Sequence, residues 1–232
     1  MGTISKATVI GIKEFGPEIR EYRLLLDKNN HFEAGSFLLL TLEKRDSYTS
    51  WPEFRNFSIA SAFRANDSSI RLIIRKVGVY TTRIFNELNI GDACMVKYAY
   101  GDFLLPFFDK EALICCIAGG TGIAPILSFC EQLEKEKQLH RLHVFYSFKN
   151  EVEMMGVEAL RAKVPAAQLH LFCTRQAIDS IPNRRIEWND IQQAGFDWLK
   201  TYFYICGGET FTSAFVNNFK LVEAENVFTD EW

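Results

Sequence analysis

The sequence predicts a two-domain chain, an antiparallel β-barrel followed by a doubly wound α/β domain on a parallel sheet. Three observations predict it. Up to about residue 106, short apolar runs are separated by turns, as in a small antiparallel barrel. From residue 112, apolar strands alternate with amphipathic helices, which is the pattern of a parallel sheet. Finally, 232 residues with 48% apolar content suffice for two modest cores rather than one. The boundary is expected at residues 106–110, where Pro106, Asp109 and Lys110 separate the two regimes, giving domains of 1–106 and 107–232.

In the first half the strand pattern covers residues 7–12, 21–26, 37–42, 56–61, 70–76 and 93–99. A helix over 81–88 interrupts it, because Ile84, Phe85 and Leu88 share one face and Gly91 follows just past the end. In the second half strands are expected at 112–118, 141–146, 168–173 and 202–206, with a last one near 226–229. The helix after Gly122 carries Ile123, Ile126, Leu127, Cys130 and Leu133 on one face, and that after Glu209 carries Phe211, Phe215, Phe219 and Val222. Both stripes are read as core.

The net charge of −3 comes from interspersed charges with no basic tract, which argues against nucleic acid as a partner. The longest apolar stretch, 112–118, is too short to cross a bilayer, so no membrane insertion is expected. The amino terminus has no apolar signal core, and Lys6 stands where a myristoylation signal needs Ser or Thr. The expected location is cytoplasmic. The six cysteines form neither a CxxC pair nor the run of a plant-type cluster, so no iron–sulfur cluster and no metal site are expected in this chain. Most of them lie in apolar patterns, where a thiol behaves as a small buried hydrophobe.

The strongest local signal is Ala118-Gly119-Gly120-Thr121-Gly122-Ile123-Ala124-Pro125, a glycine-rich turn between a buried strand and a helix. Such a turn lets a ligand approach the backbone and offers helix N–H groups to a pyrophosphate. Pro125 fits the first helical turn, where its missing N–H costs nothing. A tight turn that binds nothing has the same pattern. The second signal, Arg55-Asn56-Phe57-Ser58, sets a charged donor beside an aromatic and a hydroxyl on a strand. Read alone, it is equally an exposed arginine beside a core phenylalanine.

Together these segments resemble the ferredoxin–NADP reductase superfamily, in which a flavin-binding barrel precedes a nicotinamide-binding α/β domain. Ala34-Gly35-Ser36-Phe37 resembles its Pro-Gly-Gln-Phe strand start, and Arg55-Asn56-Phe57-Ser58 its Arg-x-Tyr-Ser flavin motif. Gly78-Val79-Tyr80-Thr81 resembles the turn whose serine or threonine meets the flavin phosphate, and Tyr100-Gly101-Asp102-Phe103 the motif that closes the barrel. The turn from Gly120 to Pro125 resembles the nicotinamide motif, and Cys206-Gly207-Gly208 the Cys-Gly-x turn near the nicotinamide. The likeness runs through nearly every segment in the correct order.

The resemblance implies that Arg55 pairs with flavin phosphate, Phe57 packs on the ring system, and Ser58 donates toward the flavin N5. Asn56 belongs to the same motif. Gly78, Tyr80, Thr81 and Thr82 then flank the phosphate, with ordinary N-capping as the other reading of the two threonines. Phe57 replaces the family's usual tyrosine, so a hydroxyl contact is lost, and FAD against FMN stays open, with FAD the commoner family ligand. Thr121 and Cys206 fall near the nicotinamide; Cys206 can equally be a buried strand-end thiol.

Cys173-Thr174-Arg175 resembles the Ser-Arg pair that NADPH-using relatives place on the 2′-phosphate, which tilts the reading slightly to NADPH over NADH. A solvated loop arginine is the alternative. Arg184 and Arg185 can assist or form a charged surface turn. In Asp230-Glu231-Trp232 the aromatic can cover the flavin and either acid relay a proton, or the terminus can fray. Three functions follow. The first is a reductase that takes hydride from NAD(P)H onto bound flavin and passes electrons to a separate acceptor such as ferredoxin, flavodoxin, an oxygenase component or a small molecule. The others are a free-flavin reductase and, of another class, a non-catalytic flavin- or nucleotide-sensing subunit.

Overall fold

A computed structural model describes residues 2–43, 51 and 53–231. The chain divides into two compact units, Met1–Leu104 and Leu105–Trp232.

The amino-terminal unit contains β1 (Thr3–Glu14), β2 (Ile19–Leu26), β3 (Phe37–Thr41), β4 (Arg55–Ser58), β5 (Ser69–Arg75) and β6 (Ala93–Tyr100). They pair antiparallel in the order β4-β3-β6-β1-β2-β5. Past β4, Ile59 N–H still bonds the Ser36 carbonyl beside β3 at 2.9 Å, while a bridge between Ile59 and Leu72 and a 2.8 Å bond from Ala60 N–H to the Arg71 carbonyl bring the chain onto β5, so the sheet nearly closes into a barrel. Alternation does the sorting: Tyr22, Leu24 and Leu26 of β2 face the core, as do Leu38 and Leu40 of β3. Helix α1 (Val79–Glu87) adds Tyr80, Ile84 and Phe85 to that core. It begins at Val79 rather than the expected Thr81. The reason is local: the Thr81 hydroxyl reaches back to accept from the N–H groups of Val77 and Gly78 at 2.9 and 3.1 Å, which closes the turn earlier.

The carboxyl-terminal unit alternates as expected: β7 (Ile114–Gly119), α2 (Ile123–Lys135), β8 (Leu142–Phe148), α3 (Val157–Lys163), β9 (Leu169–Cys173), α4 (Trp188–Gln193), β10 (Tyr202–Gly207), α5 (Glu209–Leu221) and β11 (Val227–Glu231). All neighbours are parallel, in the order β11-β10-β7-β8-β9. Helix α3 was not legible in the sequence, since only Val157 and Leu160 of its residues are buried. Strands β7 and β8 start later than expected because buried Arg141 intervenes. Its guanidinium donates to the carbonyls of Ala112 and Asp109 at 2.7 and 2.8 Å, which ties the segment before β7 to the entry of β8.

The stripe predicted on α2 is buried in full, and that on α5 is buried at Phe215 and Phe219. Phe219 packs against Phe203 with ring centroids 4.5 Å apart, under a layer that includes Trp188 and Trp198. The six cysteines are all buried, and desolvation pushes Cys94 up to about 12 and holds Cys115 and Cys116 well above the usual thiol range. Cys94, Cys115 and Cys116 are packing groups, not nucleophiles. Among the described residues, no helix is long and apolar enough to cross a membrane.

Candidate functional site

In the carboxyl-terminal unit the strand order reverses between β7 and β10. Chain continues from β7 outward to β8 and β9, then returns to the other side of β7 for β10 and β11. In open parallel sheets the crevice beyond the carboxyl ends of the strands at such a switch point is where ligands bind. Both glycine turns singled out in the sequence stand there, Gly120–Gly122 as a 3-10 turn after β7 and Gly207-Gly208 at the end of β10. Their contact is close: a Cβ on Gly122 would stand 2.2 Å from the Cys206 carbonyl oxygen. Gly120 adopts φ 57°, a left-handed conformation that a side chain disfavours. Gly122 is therefore demanded by the protein's own backbone, and not only by the approach of a ligand. By contrast a Cβ on Gly208, which caps α5, would meet nothing within 4 Å.

Thr121 is buried at the turn, and the side chains of Ile123, Ala124 and Pro125 are buried in the first turn of α2. The side chains of the last three hold the helix against the sheet. Cys206 is buried and pairs in register with Asp230 across β10 and β11, its thiol lying 3.8 Å from Asp230 Oδ2. Two residues expected from separate motifs thus touch. Glu231 ends β11 opposite Gly207, and Trp232 lies outside the described residues. Phe211, read from sequence as core, has a more specific place. Cβ atoms on Gly119 and Gly207 would approach its ring to 3.2 and 2.7 Å, so the ring fills the space both glycines leave.

At the carboxyl end of β9, Thr174 donates its hydroxyl to the Phe148 carbonyl at 3.3 Å, and Arg175 N–H binds the Lys149 carbonyl at 2.9 Å. Asn183 braces this loop by donating to the carbonyls of Cys173 and Gln176 at 2.8 and 2.9 Å. Arg175 is exposed on it. Arg184 is differently placed. It forms a bidentate pair with Asp190 at 2.7 and 2.6 Å and lies over the Phe172 ring.

In the amino-terminal unit, Phe57 is half-buried against the barrel core while Arg55 and Asn56 are exposed, and Ser58 is half-buried opposite Phe37. The Arg55 guanidinium lies 4.7 Å from the centroid of the Tyr80 ring in the first turn of α1. Tyr80 itself is buried, and its hydroxyl sits among the Leu40 and Glu53 carbonyls and the Leu42 N–H at 3.1, 3.2 and 3.2 Å. Burial foremost raises the Tyr80 pKa, and its hydroxyl contacts are to the protein's own backbone.

Ahead of the first helical bond, Thr82 N–H to the Gly78 carbonyl at 2.9 Å, the N–H groups of the first turn of α1 have no helical acceptor. A Cβ on Gly78 would meet nothing within 4 Å among the described residues. Both threonines were expected to offer hydroxyls to a phosphate. The Thr81 hydroxyl is instead committed to the turn, donating to Gly78 O at 3.2 Å, and Thr82 is exposed. Sequence reasoning missed Glu53 and Arg83. Arg83 Nη1 lies 3.6 Å from Glu53 Oε2 and Arg55 Nη2 lies 3.3 Å from Glu53 Oε1.

Known proteins match both units. Residues 116–216 match the family model for the oxidoreductase NAD-binding domain. Over 130 residues, 55% of this chain and 36% of the relative, the sequence is 34% identical to the reductase component 1 of terephthalate 1,2-dioxygenase from Comamonas sp. Over 213 residues, 87% of this chain and 57% of the relative, it is 27% identical to the reductase component of phenol 2-monooxygenase from Pseudomonas sp. (strain CF600). The chain thus spans about a third to somewhat over half of these curated relatives. Among solved structures, the FAD/NAD-binding domain of nitric oxide dioxygenase from Vibrio cholerae O1 biovar El Tor aligns with TM-score 0.81 at 15% identity, covering 98% of each chain. A ferredoxin NADP+ reductase from Neisseria gonorrhoeae with bound FAD and NADP aligns with TM-score 0.76 at 21% identity, covering 99% of this chain and 98% of that one. At such identities the likeness is one of fold.

Proposed function

We propose that the chain is a flavin-dependent NAD(P)H oxidoreductase, a reading supported by the match of residues 116–216 to the oxidoreductase NAD-binding family model and by the likeness of fold to a ferredoxin NADP+ reductase. In this reading residues 1–106 hold FAD, residues 107–232 hold NAD(P)H, and electrons leave to a separate acceptor. The observation that carries it is the meeting of Gly122 with Cys206-Gly207 at the switch point of the sheet, which builds a nucleotide crevice from segments far apart in sequence.

A bound flavin would supply the ring that accepts the hydride, which is the cofactor's chemistry rather than the protein's. Arg55, supported on Tyr80, offers a charged donor to its phosphate, worth about 1.5–3 kcal/mol against about 0.3–1 kcal/mol for the helix end beside it. Phe57 gives a flat apolar face, and Ser58 a hydroxyl donor on the same strand. In the other unit, the turn at Gly120–Gly122 and the first turn of α5 would orient the nucleotide, with Cys206 and Asp230 beside the nicotinamide. Arg175 favours NADPH. The relatives named as reductase components of oxygenase systems support an oxygenase component or a ferredoxin-type carrier as the acceptor.

The visible spectrum of the purified protein, followed anaerobically as NADPH and then NADH are added, tests this. Flavin bands that bleach are expected. A colourless protein that oxidises NAD(P)H only when flavin is supplied would point to a free-flavin reductase, and no reaction would refute the enzyme.

A further inference from the structure

The two guanidiniums beside the amino terminus of α1 already share one anion. Glu53 spans them, Oε1 at 3.3 Å from Arg55 and Oε2 at 3.6 Å from Arg83. Both cations lie over the same ring, 4.7 and 5.9 Å from the Tyr80 centroid. The Tyr80 hydroxyl lies 3.2 Å from the Glu53 carbonyl, so the carboxylate is presented from backbone that the ring side chain itself holds. The two cations differ in their other partners. Arg83 also meets Glu87 at 2.9 Å and Glu43 at 3.8 Å, and the bond to Glu87 foremost raises its pKa. For Arg55, Glu53 is the one carboxylate within ion-pair distance among the described residues.

Arg55 Nη2 donates to Glu53 Oε1 at 3.3 Å while Nη1 donates to the Phe54 carbonyl at 2.7 Å, so the Glu53 carboxylate, standing between two guanidiniums, competes with a phosphate for the same positive charge. It also brings a like charge to the place where that phosphate would sit. We infer that Glu53 is a resident counter-ion which the flavin phosphate must displace from Arg55 and Arg83, and that Glu53 thereby sets how tightly this chain retains flavin. The inference rests on the proposed reading of Arg55 as the phosphate ligand. It makes flavin retention tunable, by a few-fold, through one exposed side chain.

The test is Glu53→Gln, which keeps shape and removes charge at a site whose side chain is 51% exposed, with circular dichroism as the check on folding. Dissociation constants and release rates are measured for FAD, FMN and riboflavin by fluorescence titration and stopped flow. FAD and FMN should bind about two- to fivefold tighter, the scale of one surface ion pair, and leave correspondingly more slowly. Riboflavin, which carries no phosphate, should be unchanged. Arg83→Ala should weaken FAD and FMN and spare riboflavin. If Arg55→Ala weakens FAD while Glu53→Gln leaves it unchanged or weakens it too, the counter-ion role is wrong and the phosphate site stands. Equal tightening of riboflavin would also overturn it. If Arg55→Ala and Glu53→Gln both leave FAD binding unchanged, or the wild-type chain binds no flavin, the phosphate reading falls and takes this inference with it.

Discussion

Gly122 and Cys206 are packed backbone to backbone: the carbonyl oxygen and carbon of Cys206 lie 2.2 and 2.6 Å from where a Gly122 side chain would begin. Neither position is the far end of a flexible side chain, so neither can yield without moving the end of β10. Gly122→Ala has ordinary helical dihedrals available and suffers from the contact alone. We expect it to cost about 1–3 kcal/mol of stability, the range of overpacked sites. We also expect NAD(P)H binding to weaken more than flavin binding, because the displaced turn is in the carboxyl-terminal unit. Thermal unfolding and separate titrations of the two ligands measure this, and a variant with unaltered NAD(P)H affinity would show that the turn only packs.

Arg55→Ala should lower flavin occupancy without unfolding the barrel, since the guanidinium is exposed and its aromatic support, Tyr80, keeps its own hydroxyl contacts. Losing a charged hydrogen bond of about 1.5–3 kcal/mol corresponds to roughly ten- to a hundredfold weaker FAD binding. Occupancy is read from the ratio of flavin to protein absorbance. An unchanged ratio would remove Arg55 from the phosphate site.

The fold was legible because two periodicities, two and 3.6, change over at one place in the chain, and hydrophobic burial enforces both. The candidate site was legible only where chemistry and backbone geometry coincide. Gly120, Gly122, Cys206 and Asp230 stand in sequence as separate hints, and the parallel pairing of β7, β10 and β11 brings them together. For Thr81 the sequence left two readings open, because a hydroxyl near a helix start looks alike whether it faces out or caps its own turn, and its bonds within the turn favour the capping one. Glu53 was invisible for a different reason. Its partners, Arg55 and Arg83, come from a strand and a helix, and no spacing rule links a loop carboxylate to both.

Cys206 and Asp230 make a contact whose two sides can be varied separately. If both stand beside the nicotinamide, Cys206→Ala and Asp230→Asn should each slow flavin reduction by up to about a hundredfold, the cost of an ångström of misplacement, with flavin occupancy unchanged. Because the thiol lies 3.8 Å from the carboxylate, the two losses should not add. Anaerobic stopped-flow reduction of the single and double variants gives the coupling. Fully additive losses would mean that the residues act apart.

Acid should destabilise the carboxyl-terminal unit through His143 and His170. Burial foremost, and then the neighbouring His170, hold His143 below the usual 6.5; burial holds His170 below it too, opposed by Asp190. Both are favoured neutral in the fold, so the unfolded chain binds more protons below about pH 6.5. Their contribution is present above 6.5 and is lost as the pH falls from there toward the folded values. Asp190, held below 3.8 chiefly by its bond to Arg184, loses its contribution only at lower pH and leaves that window clear. Melting temperatures between pH 7.5 and 5.5 should therefore fall. His170→Phe, which keeps a flat ring on Phe145, should fall less steeply, and an identical slope would exclude His170 as a source.

Arg175 and Arg184 look interchangeable in sequence and are not. Arg184 spends both ends of its fork on Asp190 and its face on Phe172, so its removal is a loss of structure. Arg175 extends from a loop whose backbone is fixed by Lys149 and Asn183, which leaves its fork available at little ordering cost. A 2′-phosphate meeting that fork gains about 1.5–3 kcal/mol, so Arg175→Ala should raise KM for NADPH roughly ten- to a hundredfold and barely alter KM for NADH. Arg184→Ala should lower the melting temperature while changing the two KM values in parallel. Steady-state kinetics with both donors decide it: if Arg175→Ala raises both KM values equally, the arginine supports the loop and the preference for NADPH has no carrier in this chain.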